Sequence, residues 1–196
     1  MIVLGIETSC DDTSAAVLEN GSNILSNVIA DQTATHSKYG GVVPELAGRC
    51  HIESIDLVIT KALKLSKKKI NDIDLVAVTV GPGLVSSLLV GLNTAKALAF
   101  SLQKPLIGVN HLEGHLLAIF LQEEVEFPYI ALTVSGGHTD IYRVDDFGSY
   151  KILGRTRDDA AGESFDKVAK MLKLGYPGGP VIENKAQFGD PSSHHF

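Results

Sequence analysis

The residues with the clearest chemical potential are His111 and His115, in the segment HLEGH. Spaced i, i+4 on a helix, they share one face, and their imidazoles come close enough to hold one divalent metal. Zinc hydrolases use the same spacing, but here Glu113 follows the first histidine by two residues rather than by one. It therefore points off the ligand face, which argues against an H-E-x-x-H metalloprotease. Two imidazoles are not a full coordination set, so a third ligand, read as a carboxylate, must come from elsewhere. A histidine pair is more often structural than ligating. A glycine between the two, beside an expected cleft, shifts the balance toward a site. His36 and His51 are assigned no chemical role, and His194 and His195 are read as solvated residues of a polar tail.

Two turns add to the case. In Glu7–Thr13 (ETSCDDT), hydroxyls and backbone N–H groups can hold phosphate oxygens, and the carboxylates of Glu7, Asp11 and Asp12 can hold a metal or its waters. Alone this is weak, because Ser, Thr and Asp also favour turns by bonding to their own backbone. The second turn, Thr133–Thr139 (TVSGGHT), places Gly136 and Gly137 after a buried strand, where backbone N–H groups can approach an anion closely. A third glycine-rich element, YPGGP at 176–180, is either a rigid loop or a flat surface for a nucleotide.

Elements must exist to position these groups. Residues 2–7, 13–19 and 23–30 read as a three-stranded antiparallel meander with a turn at Asn20 and Gly21. Pro44 is placed to start an amphipathic helix running to about Leu65, with Leu46, Ile52, Ile55, Val58, Ile59, Ala62 and Leu63 as its apolar repeat. A buried strand at 74–80, a Gly-Pro-Gly turn, a helix over 84–102, a strand at 106–109 and a helix over 111–121 follow. The meander then restarts at 129–134, 140–144 and 150–155, with a helix over 163–172. That repetition predicts an α/β chain of two duplicated lobes, each a mixed sheet flanked by helices. The first lobe spans 1–121 and carries the histidine pair; the second begins over 122–196 and is incomplete.

Composition bounds the rest. The chain has 196 residues, 44% of them hydrophobic, and only two cysteines, Cys10 and Cys50, in no ligand spacing. A cytoplasmic, non-membrane protein is expected, since the longest apolar run, 84–100, is interrupted by Ser86, Ser87, Asn93 and Lys96 and falls short of the ~18 residues needed to span a bilayer. The net charge of −6 disfavours unaided binding to a phosphate backbone. The lysines at 61, 64, 67, 68 and 69 read as a solvated helix end.

The segments GIETSCDDT, HSKYGGVVPELA, VGPGLVSSLLVG, HLEGH, LTVSGGHT, DDAAGESFDK and YPGGP, in this order, resemble the TsaD/Gcp/Kae/Qri family of tRNA threonylcarbamoyladenosine synthesis proteins. The resemblance implies the actin, Hsp70 and sugar-kinase (ASKHA) fold, with a nucleotide held between paired phosphate turns. It also implies transfer of the threonylcarbamoyl group from threonylcarbamoyl-adenylate to the exocyclic amine of adenosine 37 in tRNAs reading codons that begin with A. On this basis His111 and His115 hold iron or zinc, and Asp11 and Asp12 are the catalytic carboxylates. Ser9, Thr133, Val134, Ser135, Gly136, Gly137, Asp166, Gly179 and Glu183 bind the adenylate, or ATP or ADP in the same cleft. Implied partners are tRNA as substrate, a smaller paralogous (TsaB-like) subunit and an ATPase (TsaE-like) subunit. Asp12 stands where many relatives have Glu. Family chains continue well past residue 196, and the later segment supplies an aspartate to the metal site and an asparagine to the adenosine. Two alternatives remain: an inactive paralogue serving as a nucleotide-binding or assembly module, and an ATP-dependent kinase of the same superfamily.

Overall fold

The computed structural model describes residues 1–195 and divides into two compact units. The first comprises Met1–Gln32 and Val43–Val125; the second comprises Thr33–Val42 and the chain from Glu126 onward.

The first unit is a five-stranded sheet with helices. Strands β1 (Ile2–Glu7), β2 (Thr13–Glu19) and β3 (Asn23–Ala30) form the expected antiparallel meander, and β4 (Leu75–Gly81) and β5 (Leu106–Asn110) lie parallel to β1, in the order β3-β2-β1-β4-β5. Asn20 and Gly21 both take positive φ, 55° and 93°, the backbone twist that a tight hairpin needs. The alternating burial of β1 sends Ile2, Leu4 and Ile6 into a core shared with Val17, Val28, Val76 and Val78. Register matters most on the parallel side. Ile6 pairs with Val78, and Thr79 with Val109, so Glu7, Thr79 and Asn110 all end at the same carboxyl edge of the sheet.

Helix α2 (Pro44–Ser66) covers this core with Ile55, Val58, Ile59 and Ala62. Proline opens it at the first turn, where the missing N–H costs nothing. Its buried face differs from the expected one in one respect: Ile52 is 66% exposed and His51 fully buried. Helix α3 (Val85–Leu102) is long and apolar enough to cross a membrane by length and composition. In this unit it packs instead against α2 and β4 through a stripe of small residues, Ser87, Gly91, Ala95 and Ala99.

In the second unit, a short helix α1 (Thr33–His36) precedes a 3-10 turn over Ser37–Tyr39. Strands β6 (Tyr129–Val134), β7 (Thr139–Asp146) and β8 (Ser149–Arg155) repeat the antiparallel meander of β1–β3. Within the described residues this sheet has no parallel strands, so its mixed character is confined to the first unit. Helix α5 (Ala161–Met171) follows, and the YPGGP segment leads directly into α6 (Gly178–Ala186), which sequence patterning leaves as a loop. The sheet exposes Ile130, Leu132, Val134 and Ile141, and α5 exposes Phe165, Val168 and Met171.

A Cβ built at Gly91 collides with Oγ1 of Thr8 at the end of β1, while Thr8 Oγ1 donates to the Ser87 carbonyl (2.9 Å). Gly91→Ala is therefore expected to destabilise the first unit by about 1–3 kcal/mol, the usual range for overpacking. The check is the urea midpoint at unchanged slope; a shift under ~0.5 kcal/mol would mean α3 does not sit this close.

Candidate functional site

The parallel register brings three strand ends together, and each contributes a polar group. Glu7 closes β1, and its Oε2 accepts from Thr79 Oγ1 of β4 at 2.5 Å. Its Oε1 accepts from the backbone N–H of Ser9. At the end of β5, Asn110 caps helix α4 (His111–Leu117), its Oδ1 accepting from the N–H groups of Leu112 (2.9 Å) and Glu113 (3.3 Å). The cap fixes the first helical residue, His111. Its Nδ1 lies 3.2 Å from Glu7 Oε2 and 3.1 Å from Ser9 Oγ.

Burial raises the Glu7 carboxyl pKa, but the hydrogen bonds from His111, Ser9 and Thr79 more than offset it and hold the group at about 2. Glu7 is thus a carboxylate at neutral pH. A carboxylate only accepts, so Nδ1 of His111 carries the proton and Nε2 is left with its lone pair. That Nε2 lies 3.1 Å from Nε2 of His115, with ring centroids 4.6 Å apart and planes at 85°. Two imidazoles aimed at one point suit a shared cation at the ~2.0–2.1 Å typical of zinc–nitrogen bonds. The residues therefore fit a metal as two of its ligands. Among the described residues, no group of three or more His, Cys, Asp or Glu is arranged to hold an ion, so the third donor expected from the sequence does not come from them.

The β1–β2 turn presents the other predicted groups of this unit. Ser9 is buried and joined to His111; Asp11 and Asp12 form the tip. Partial desolvation and the charges of Asp11 and Asp31 push the Asp12 carboxyl above its usual range. Desolvation and the same neighbouring carboxylate push the Cys10 thiol up to about 12, so it is no thiolate nucleophile near pH 7.

In the second unit, Ser135 N donates to the His138 carbonyl (2.8 Å), and Ser135 Oγ accepts from His138 N (3.0 Å) and Gly137 N (3.3 Å). The turn rests on α5: Gly162 N donates to the Ser135 carbonyl at 3.1 Å. Any Cβ at Gly162 would sit 2.7 Å from that oxygen. Gly136 and Asp166 line one cavity of about 420 Å³ with Gly40, Gly41, Glu163 and Lys170, a size that suits part of a nucleotide. Asp166 Oδ1 also accepts from Gly178 N (2.7 Å), tying α5 to the start of α6. Thr133 is buried, Val134 exposed, and Gly179 and Glu183 lie on α6 away from that cavity's lining. Two residues stand out that sequence spacing does not mark: Glu7, which orients His111, and His51, buried beneath the first turn. The sequence marks Glu7 only as a carboxylate of the first turn; its pairing with His111 carries no sequence signal.

The arrangement of strands and helices is shared with solved structures. They include component A of the (R)-2-hydroxyglutaryl-CoA dehydratase of Acidaminococcus fermentans (TM-score 0.54, 15% identity, 97% of this chain and 70% of that one). Similar, too, are the ethanolamine utilization protein EutJ from Carboxydothermus hydrogenoformans (0.54, 16%, 96% and 70%) and YeaZ from Pseudomonas aeruginosa (0.52, 18%, 82% and 68%). At these identities the likeness is one of fold, and the fold is that of the actin, Hsp70 and sugar-kinase superfamily. The family model for TsaD, tRNA N6-adenosine threonylcarbamoyltransferase, matches residues 23–196. Relatives bearing that name are 64% identical over 190 residues in Thermodesulfovibrio yellowstonii (96% of this chain, 57% of the relative) and 62% over 197 in Syntrophus aciditrophicus (100% and 58%). The chain belongs to the TsaD family. It spans 57–58% of the length of these curated relatives.

The Glu7 pKa has a measurable consequence. Its folded value, about 2, lies below the ordinary 4.5, so its contribution to stability is fully present above pH 4.5 and is lost as pH falls toward 2. Glu7→Gln cannot titrate, and its stability should fall less steeply than the wild type's across that window. Urea midpoints measured at half-unit pH steps decide it; parallel acid limbs would show that Glu7 is not held this way.

Proposed function

We propose that this chain carries part of the active site of a threonylcarbamoyl transferase acting on adenosine 37 of tRNAs that read codons beginning with A. The family match over residues 23–196 carries the reading, and the group around Glu7, Ser9, His111 and His115 gives it chemistry. In the reaction, the exocyclic amine attacks the carbamoyl carbon of threonylcarbamoyl-adenylate, a new C–N bond forms, the C–O bond to phosphate breaks, and AMP leaves with its charge. The amine loses one proton.

The chain's own residues serve these needs as follows. Asp11 and Asp12 hold the cation that accompanies the adenylate phosphate. Ser9 contacts the phosphate from the same turn, and the bare backbone of Gly136 and Gly137 lets the nucleotide come close, with the Gly136 amide as donor and Gly137 N held by Ser135 Oγ. Asp166, Gly179 and Glu183, with Thr133, Val134 and Ser135, complete the nucleotide surface. His111 and His115 hold the divalent metal, iron or zinc, and when bound it supplies Lewis-acid polarisation of the carbamoyl or phosphate oxygen. Glu7 keeps His111 in the tautomer that leaves Nε2 for coordination.

tRNA is the acceptor substrate. A chain of charge −6 is not built to hold it alone, which favours assembly with further subunits, a TsaB-like paralogue and a TsaE-like ATPase. The similarity to YeaZ supports a paralogue of the same fold. The assembled protein would work in the cytoplasm. The alternative that the test separates is a nucleotide-binding or assembly module without activity.

The test is threonylcarbamoyl transfer to tRNA, read by nucleoside mass spectrometry with partner subunits present, alongside bound metal per chain. His111→Ala and His115→Ala should each lower metal content below ~0.1 per chain and transfer by at least about 100-fold. Unchanged transfer in both would remove the metal from the chemistry. Nucleotide binding with no transfer by the wild type would select the assembly-module reading.

A further inference from the structure

The turn that carries Asp11 and Asp12 has a second anchor on the side away from the histidine pair. His51 sits on the inner face of α2 with none of its surface exposed. Its Nε2 lies 2.9 Å from the carbonyl of Cys10, and its Nδ1 lies 2.7 Å from Oγ1 of Thr13. Cys10 and Thr13 are the residues immediately before and after the two aspartates. One imidazole therefore bridges both feet of the turn.

The proton assignment follows from the partners. A carbonyl only accepts, so Nε2 carries the hydrogen; in a neutral ring Nδ1 then accepts from the Thr13 hydroxyl. Thr13 Oγ1 is also 2.8 Å from Ser54 Oγ, which reaches the Cys50 carbonyl at 2.7 Å one turn back on α2. The Gln32 side-chain amide approaches Nδ1 at 3.5 Å. Each hydroxyl has one hydrogen, given by Thr13 to Nδ1 and by Ser54 to the Cys50 carbonyl, so the ring itself is the bonded link from the helix to the turn. A fully buried imidazole costs free energy unless both nitrogens are satisfied, and two of its three partners belong to the turn.

The other end of the turn is fastened elsewhere. Leu84 N, at the start of α3, donates to the Ser9 carbonyl (2.8 Å), and Thr8 Oγ1 donates to the Ser87 carbonyl (2.9 Å). Thus α3 holds residues 8 and 9, and α2 holds residues 10 and 13 through His51. Adjacent aspartates repel each other and would loosen an unsupported hairpin. Fastening both sides fixes where their carboxylates point.

We propose that His51 is a positioning residue for the first turn: acting through Cys10 and Thr13, it sets the placement of Asp11 and Asp12 without touching substrate. The catalytic consequence rests on the transferase reading given above; the positioning itself does not.

The experiment compares wild type with His51→Phe, His51→Gln and Thr13→Val. Phenylalanine removes both ring bonds, glutamine keeps a donor for the Cys10 carbonyl, and valine removes only the Thr13 foot. Two readouts are taken on each: amide hydrogen exchange of residues 10–13 against residues 55–59 of α2, and the kcat and KM of threonylcarbamoyl transfer. In His51→Phe, exchange in the turn should rise at least about tenfold while the helix amides stay within about threefold. Its kcat/KM should fall roughly ten- to hundredfold, the scale of a ~1 Å misplacement. His51→Gln should recover most of both losses, and Thr13→Val should lie between them. Turn and helix amides loosening together, or glutamine failing to rescue where valine is harmless, would overturn the proposal in favour of simple packing. Should His51→Phe fail to fold, the ordering of the other two variants still decides. A wild type with a protected turn and no transfer would sink the transferase reading while leaving the positioning supported.

Discussion

A carboxylate partly withdrawn from water at the end of a strand must be surrounded by donors or give up its charge. Glu7 meets that demand with three groups from three places: Thr79 at the end of β4, the backbone of Ser9 in the following turn, and His111 at the start of α4. Each donor is there because parallel pairing in the order β1-β4-β5 ends all three strands on one edge. The carboxylate thereby joins the sheet, the turn and the histidine helix. The tautomer of His111, and with it the nitrogen aimed at His115, follows from that single charge.

The close approach of α3 is the companion constraint. Ser87, Gly91, Ala95 and Ala99 fall one per turn on a single face, and Gly91 meets Thr8 with no room for a methyl group. Gly83 serves the same purpose at the helix entrance, where any Cβ would run into the backbone of Ser9. The helix is apolar enough overall to pass for a membrane span, yet its buried stripe is the least bulky part of it. Large side chains there would hold the helix away from β1 and remove the hydrogen bond from Leu84 to Ser9.

The strands and long helices were legible because their signals are local. A short apolar run marks β1, the Asn20–Gly21 pair marks the hairpin, and Pro44 marks the start of α2. The i, i+4 spacing of His111 and His115 could be read the same way, and the structure brings them together. What could not be read depends on contacts distant in sequence. Positions 51 and 52 are about 100° apart on a helix, and hydropathy places the isoleucine inward. The structure reverses this, because a histidine with partners at Cys10 and Thr13 gains more from burial than an isoleucine loses by exposure. Glu7 escaped for a similar reason: its partners are 72 and 104 residues away in the chain. Helix α6 escaped because Gly-Gly-Pro is a poor helix former by propensity, and it is anchored by Asp166 accepting from Gly178 N.

The two duplicated hairpins differ in what they present. The first presents carboxylates, which repel each other, so its backbone is held by side chains: His51 at Cys10 and Thr13, Glu7 at Ser9, and Thr8 reaching Ser87. The second presents bare glycine backbone at Gly136 and Gly137, which needs closeness rather than restraint of charge. It is held by the Ser135 hydroxyl, which accepts from Gly137 N and His138 N, and by Gly162 N donating to the Ser135 carbonyl, while Gly136 and Gly137 place no side chain at the tip. A turn of the first kind suits a cation, and one of the second kind an anion.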